Sequence, residues 1–305
     1  MPVEHTFDTG IVSINYAEIV EGIHAPSTCP LVLLHGGSAR WQAFTSIIPE
    51  LSRDRHLYAP DFRGHGKSGR VAGSYTMRDY AVDTALFLEH VVGQPAALYG
   101  HSLGGQVAIM VAARYPRLVN CLIIGDSPFD KDKLRTALQR ARQRLLIWRD
   151  MAGPGHSLEE IIEALKNTPT DEGEQPHPVP QRKVFGEDSP WFPYMAENLR
   201  LLDPDMLTAV IEFEDMHEGY DNERLFPRIS CPVLIVQGNP ALGAGLSDQE
   251  VEKALSLLPN VSVARLETVG HALDYPDKQP LLGAITSFLD ALELSQSEQR
   301  LERVL

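Results

Sequence analysis

A serine flanked by glycines, a histidine behind a glycine far downstream, and two glycines behind a histidine near the start are the residues in this 305-residue chain best suited to acyl transfer. Gly100-His-Ser102-Leu-Gly104 follows the short apolar run Ala96–Leu98 and precedes a helical one, Gln106–Tyr115. Gly-x-Ser-x-Gly between a strand and a helix is the pattern of a nucleophile elbow. Such a turn presents Ser102 Oγ above the sheet and aims the first N–H groups of the new helix at the reacting carbon. Glycines flank it because Cβ atoms beside a strained serine would collide. An ordinary tight turn tolerates the same spelling, but the strand before it and the helix after it favour the nucleophile.

His35-Gly36-Gly37-Ser38 ends the apolar run Leu31–Leu34. A free N–H at that strand end, on Gly37, pairs naturally with that of Leu103, the residue after the serine, to bind an oxyanion. Gly270-His271 follows the last predicted strand, on the edge from which an imidazole reaches the elbow, so His271 is the candidate base. Ser38 and Trp41 beside the oxyanion loop, and His101 beside the serine, are candidate pocket residues. Trp148 and Trp191, from the helical middle of the chain, are candidates for its roof. In Asp61-Phe-Arg63-Gly-His-Gly-Lys-Ser68, Asp61 and Arg63 read as braces between loops, and His35 as a structural side chain under its loop.

These residues need a scaffold, and short apolar runs alternating with helical patterns supply one. Ile11–Tyr16 and Tyr16–Val20 read as an opening hairpin, Leu31–Leu34, His56–Ala59, Ala96–Tyr99 and Leu118–Gly125 as strands, and Trp41–Leu51 and Met77–Val92 as helices. That rhythm implies right-handed βαβ units and a mostly parallel sheet. From Ser127 to Arg228 no buried strand is evident: Leu134–Trp148, Leu158–Asn167, Tyr194–Leu202 and Asp205–Phe213 read as helices around a proline-rich loop at Thr168–Pro180. Strands return at Pro232–Gln237 and Val261–Leu266, before a closing helix from Leu281 and a charged stretch at Ser295–Leu305 that reads as a helical extension or a frayed tail. Residues 1–126 and 229–305 are therefore expected to form one core domain, and 127–228 a helical cap over the strands' carboxyl ends.

Composition narrows the partners. Lys and Arg total 27 against 41 Asp and Glu, a net charge of −14, which disfavours nucleic acid and anionic lipid. No apolar run approaches a membrane span, and the opening Met1–Asp8 lacks the regions of a signal peptide. Three cysteines, Cys29, Cys121 and Cys231, read as buried thiols of a cytoplasmic protein. The histidines show no metal-ligand spacing, so neither metal nor organic cofactor is expected. A small-molecule substrate is; the sequence is compatible with a monomer or a homodimer.

Taken together, HGG at 35–37, D-x-R-G-H-G-x-S at 61–68, G-H-S-L-G-G at 100–105 and the G-H pair at 270–271 resemble the α/β-hydrolase superfamily in its capped branch. The resemblance implies an α/β fold, with a mostly parallel eight-stranded sheet, helices on both faces and a cap inserted after the sixth strand. It is specific for fold and nucleophile and poorly specific for substrate. In the commonest family pattern the acid stands in G-x-x-D after the penultimate strand, but here that segment reads Gly238-Asn-Pro-Ala241. Asp126, ending Leu122-Ile-Ile-Gly-Asp126, occupies another position from which some members draw their acid. Asp248 is the alternative, although Ser247-Asp-Gln-Glu250 is a capping box and gives it a structural reason to exist. The implied activity is a carboxylesterase or lactonase on a small to medium, largely apolar substrate, through a Ser-His-Asp triad. A C–C bond hydrolase of a diketone-like compound and a weakly active ligand-binding homologue are the alternatives.

Overall fold

In the computed structural model, which describes residues 2–20, 29–171 and 177–304, eight strands form one sheet. They are β1 (Val3–Asp8), β2 (Ser13–Ile19), β3 (Leu31–Leu34), β4 (Leu57–Pro60), β5 (Ala96–His101), β6 (Val119–Gly125), β7 (Val233–Gly238) and β8 (Val261–Leu266). Their order is β1-β2-β4-β3-β5-β6-β7-β8. β2 runs antiparallel to β1 and β4, and every pair from β4 to β8 is parallel.

The central strands are apolar throughout because both faces are covered. Val32, Leu34, Leu98, Leu122 and Ile124 pack into one layer, with the helices Met77–Phe87 and Leu103–Arg114. Leu31, Leu33, Ala97, Tyr99, Cys121 and Ile123 pack into the other, with the closing helix Gln279–Val304. The chain runs outward from β3 to β4, then crosses back to β5. The sheet's switch point therefore lies between β3 and β5, whose carboxyl ends carry Gly36–Gly37 and Ser102, and crevices for ligands form at such points.

Three local expectations need correction. The opening hairpin lies earlier than Ile11–Tyr16 and Tyr16–Val20, because β1 exposes most of its side chains and gives almost no apolar signal. Its turn is fixed at Thr9–Val12, where Gly10 has φ 83° and Thr9 N–H donates to Val12 C=O at 3.0 Å. Trp41–Leu51 is a 3₁₀ turn, Trp41–Phe44, followed by the short helix Ile48–Leu51. Leu134–Trp148 is two helices, Lys131–Arg140 and Arg142–Met151, parted at Ala141. The charged stretch from 295 is the helical extension, one of its two expected forms: it continues the closing helix through Val304, Leu305 lying outside the described residues.

Between β6 and β7 the chain adds helices and no further strand of the sheet among the described residues. Leu158–Asn167 and Trp191–Arg200 pack on one another around Ile161, Leu165, Phe192, Met195 and Leu199. Of the proline-rich loop, residues 172–176 lie outside the described residues, while Pro169 and Pro180 form an isolated antiparallel bridge. The helix Trp191–Arg200 is tied to the core where Arg40 Nε donates to Asn198 Oδ1 at 2.8 Å. Asp203 N–H donates to Gly64 C=O at 2.8 Å, and Tyr75 O–H donates to Asp203 Oδ2 at 2.5 Å. No helix of the described residues is long and apolar enough to cross a membrane.

Candidate active site

Ser102 stands between the end of β5 and the first turn of the helix Leu103–Arg114, at φ 54° and ψ −118°. L-residues rarely adopt that geometry, and it is held by its neighbours. Ser102 N–H donates to Gly125 C=O at 3.0 Å, while Ser102 C=O accepts from Gly105 N–H at 3.0 Å. Close approach, rather than positive φ, dictates the flanking glycines. A Cβ on Gly104 would fall 2.0 Å from Leu34 O, and one on Gly100 would fall 2.3 Å from Gly104 O.

The carboxylate of Asp126 is completely buried at the end of β6, where the backbone turns at φ 41°. It accepts backbone N–H groups from Gly238 at 3.3 Å, Gly245 at 2.6 Å and Leu246 at 3.2 Å. Its remaining partner is the His271 ring, whose Nδ1 lies 2.6 Å from Asp126 Oδ2. The loop after β7 lacks an acid at 241 but supplies the donors that hold this one. Asp248 faces elsewhere: its Oδ1 accepts from Gln237 Nε2 at 2.8 Å and lies 4.0 Å from Arg265 Nε.

With Nδ1–H given to Asp126, neutral His271 keeps a lone pair on Nε2. Ser102 and His271 both line a cavity of about 410 Å³. Among the described residues no hydrogen bond joins them, as is common before substrate tightens such a site. The N–H groups of Gly37 and Leu103 likewise donate to no partner among the described residues. Two unpaired donors and a hydroxyl thus meet at one end of the sheet.

Beneath this end, histidines work as braces. His35 Nδ1–H donates to Gly36 C=O at 2.8 Å and its Nε2 accepts Phe62 N–H at 3.0 Å. His65 Nδ1–H donates to Arg63 C=O at 2.9 Å and its Nε2 accepts Ser38 N–H at 3.3 Å. Burial lowers the pKa of His35 to about 4. Burial, with His35 as a second cause, lowers that of His65 to about 3. Asp61 accepts Trp41 N–H at 2.8 Å and Asn15 Nδ2–H at 2.9 Å, and Arg63 grips Asp83 through two bonds of 2.6 and 2.7 Å. His101 donates from Nε2 to His271 C=O at 2.8 Å. Burial, then the neighbouring His271, brings it to about 4, so it is neutral near pH 7 and steadies the His271 backbone.

Of the expected pocket residues, His101 and Trp191 line the cavity, and Ser38, Trp41 and Trp148 do not. Ser38 is buried at φ 57° under its loop. Trp41 turns toward β1, donating from Nε1 to Glu4 Oε1 at 2.8 Å. Trp148 packs among the helices, 6.4 Å from Trp191 and beneath Arg144. Sequence reasoning missed Gln42, Ser46 and Asp274, which form part of the wall. Only the position of Asp274, three residues after His271, offered a signal.

The sheet order, the strained serine on its turn and the buried carboxylate behind the histidine are those of an α/β hydrolase. Residues 31–280 match the alpha/beta hydrolase family, to which the chain belongs. It is 27% identical over 306 residues to 2-(acetamidomethylene)succinate hydrolase of Mesorhizobium japonicum, covering 95% of this chain and 96% of that one. A crystal structure of E-2-(acetamidomethylene)succinate hydrolase shares the fold with a TM-score of 0.71 at 22% identity, covering 95% of this chain and all of that one. The chain is also 36% identical over 99 residues to 2-hydroxymuconate semialdehyde hydrolase of a Pseudomonas species, 31% of this chain and 35% of that one.

Proposed function

We propose that this chain is a serine hydrolase cleaving uncharged or cationic carboxylic esters or lactones of small to medium size through an acyl-enzyme. The observation that carries this reading is the 2.6 Å bond from His271 Nδ1 to the buried Asp126, beside the strained Ser102. In the proposed cycle His271 Nε2 takes the Ser102 proton as Oγ attacks the carbonyl carbon. Asp126 holds the imidazole in that tautomer and stabilises its cation. The tetrahedral oxyanion is received by Gly37 and Leu103 N–H, and losing one such donor typically costs about 2.7–4 kcal/mol of barrier. Its collapse expels the alcohol, which takes the proton from His271. Water activated by the same ring then frees the acid.

Residues 127–228 act in this reading as the cap, with Trp191 and Tyr194 forming the roof of the cavity. Among the described residues no Lys or Arg belongs to the wall, which argues against carrying over the dicarboxylate that the Mesorhizobium relative's name describes. C–C bond cleavage of a diketone-like compound, the alternative raised by the sequence, gains no specific support from this wall. The test is a panel of aryl esters, lactones and thioesters of graded acyl length, with 2-(acetamidomethylene)succinate included. An acyl-enzyme predicts a burst of the aryl alcohol equal to the enzyme concentration, absent in Ser102→Ala. Turnover of the succinate alone would contradict the reading.

A further inference from the structure

We propose that Asp274 sets the specificity of this cavity, and that the preferred substrate carries a cationic ammonium group. The inference rests on the serine-hydrolase reading above and extends it to the class of substrate. Asp274 lines the same cavity as Ser102 and His271. Its Oδ2 accepts the Ser46 hydroxyl, and its Oδ1 has no hydrogen-bond partner among the described residues. In the lining of the same cavity, Gln42 Oε1 is buried without a partner among the described residues. Both groups turn negative charge or the negative end of a dipole toward the cavity, which favours a positive charge beside them whether or not it carries an N–H. Trp191 and Tyr194 add aromatic rings to the same wall, and ring faces attract ammonium groups.

The nearby cations are committed elsewhere. Arg40 donates to Asn198 and pairs with Glu197. Lys278 Nζ donates to Ser46 C=O at 2.6 Å and lies 3.1 Å from Glu50 Oε1. A substrate carboxylate would therefore meet acceptors and no cation, whereas an ammonium group would meet a carboxylate and aromatic rings. The net charge of −14 draws cations toward the molecule as well.

Two isosteric pairs test this on the purified full chain. Choline butyrate is compared with 3,3-dimethylbutyl butyrate, and the phenyl ester of betaine with that of 3,3-dimethylbutanoate, each rate divided by that of hydroxide. The cationic member of at least one pair should be preferred about tenfold or more in kcat/KM. That preference should shrink as salt is raised. Asp274→Asn should bring the ratio close to one, and Asp274→Glu should restore most of it. On the wild-type chain, phenyltrimethylammonium should protect Ser102 from a fluorophosphonate at lower concentration than tert-butylbenzene. Equal turnover of the isosteres with equal protection would overturn the proposal and leave the serine-hydrolase reading intact, as would a preference that survives in Asp274→Asn. No ester turnover with no labelling of Ser102 would overturn both.

Discussion

The floor and the wall of the cavity are built on opposite principles. On the floor, nearly every polar side chain has its partners: Asp126 accepts three backbone N–H groups and His271, and His35 and His65 each use both ring nitrogens. Among the described residues the unpaired groups there are the reacting pair, Ser102 Oγ and His271 Nε2, and the backbone donors of Gly37 and Leu103. In the wall, Gln42 Oε1 and Asp274 Oδ1 are acceptors with nothing to accept among the described residues. A site whose floor offers donors and whose wall offers acceptors suits a substrate with an oxygen at one end and a positively charged group at the other. It also separates the floor's proposed chemistry from the wall's proposed choice of substrate.

Mutations should divide along the same line. The largest effect belongs to the floor: Ser102→Ala or His271→Ala should each reduce kcat by roughly 10⁶-fold, measured with an aryl ester. Asp126→Asn should cost about 10⁴-fold by favouring the wrong tautomer. Asp248→Asn should change turnover by about twofold or less, and the reverse pattern would move the acid to 248. Gly104→Ala should show as lost folding, because its Cβ would sit 2.0 Å from Leu34 O, and overpacking of that kind costs at least about 1–3 kcal/mol. In the wall, Trp191→Ala should alter KM and substrate range, while Trp148→Ala, away from the cavity, should lower the melting temperature and leave the range alone.

The floor should also carry a pH signature. His35 and His65 have folded pKa values of about 4 and about 3, below their ordinary value of 6.5. The unfolded chain therefore binds more protons than the folded one in this window, and stability rises with pH. Their contribution is complete above pH 6.5 and is lost as pH falls toward 4 and then 3. Calorimetric unfolding at pH 5 should show an uptake of about two protons from this pair, and replacing His65 with Gln should reduce that uptake by about one.

The same division decided what the sequence revealed. The sheet was legible because strands buried on both faces must be apolar throughout, as Leu31–Leu34 and Ala96–Tyr99 are. The elbow was legible because Gly100 and Gly104 are forced by backbone contact. Asp126 could be reached only by noticing that Ala241 left a vacancy, since nothing local reveals that the loop 238–246 folds back to hold it. β1 was illegible because an edge strand that exposes most of its side chains carries little pattern. The wall was illegible for a different reason. Gln42, Trp191 and Asp274 come from three distant segments that share no spacing, and tryptophans at 41, 148 and 191 look alike until packing sends two of them away.

The most direct test is covalent: treat the chain with a fluorophosphonate and map the adduct by mass spectrometry. Labelling confined to Ser102, much slowed in His271→Ala and Asp126→Asn but unchanged in Asp248→Asn, is the predicted result. An unlabelled wild-type chain, or an adduct on another residue, would contradict the account.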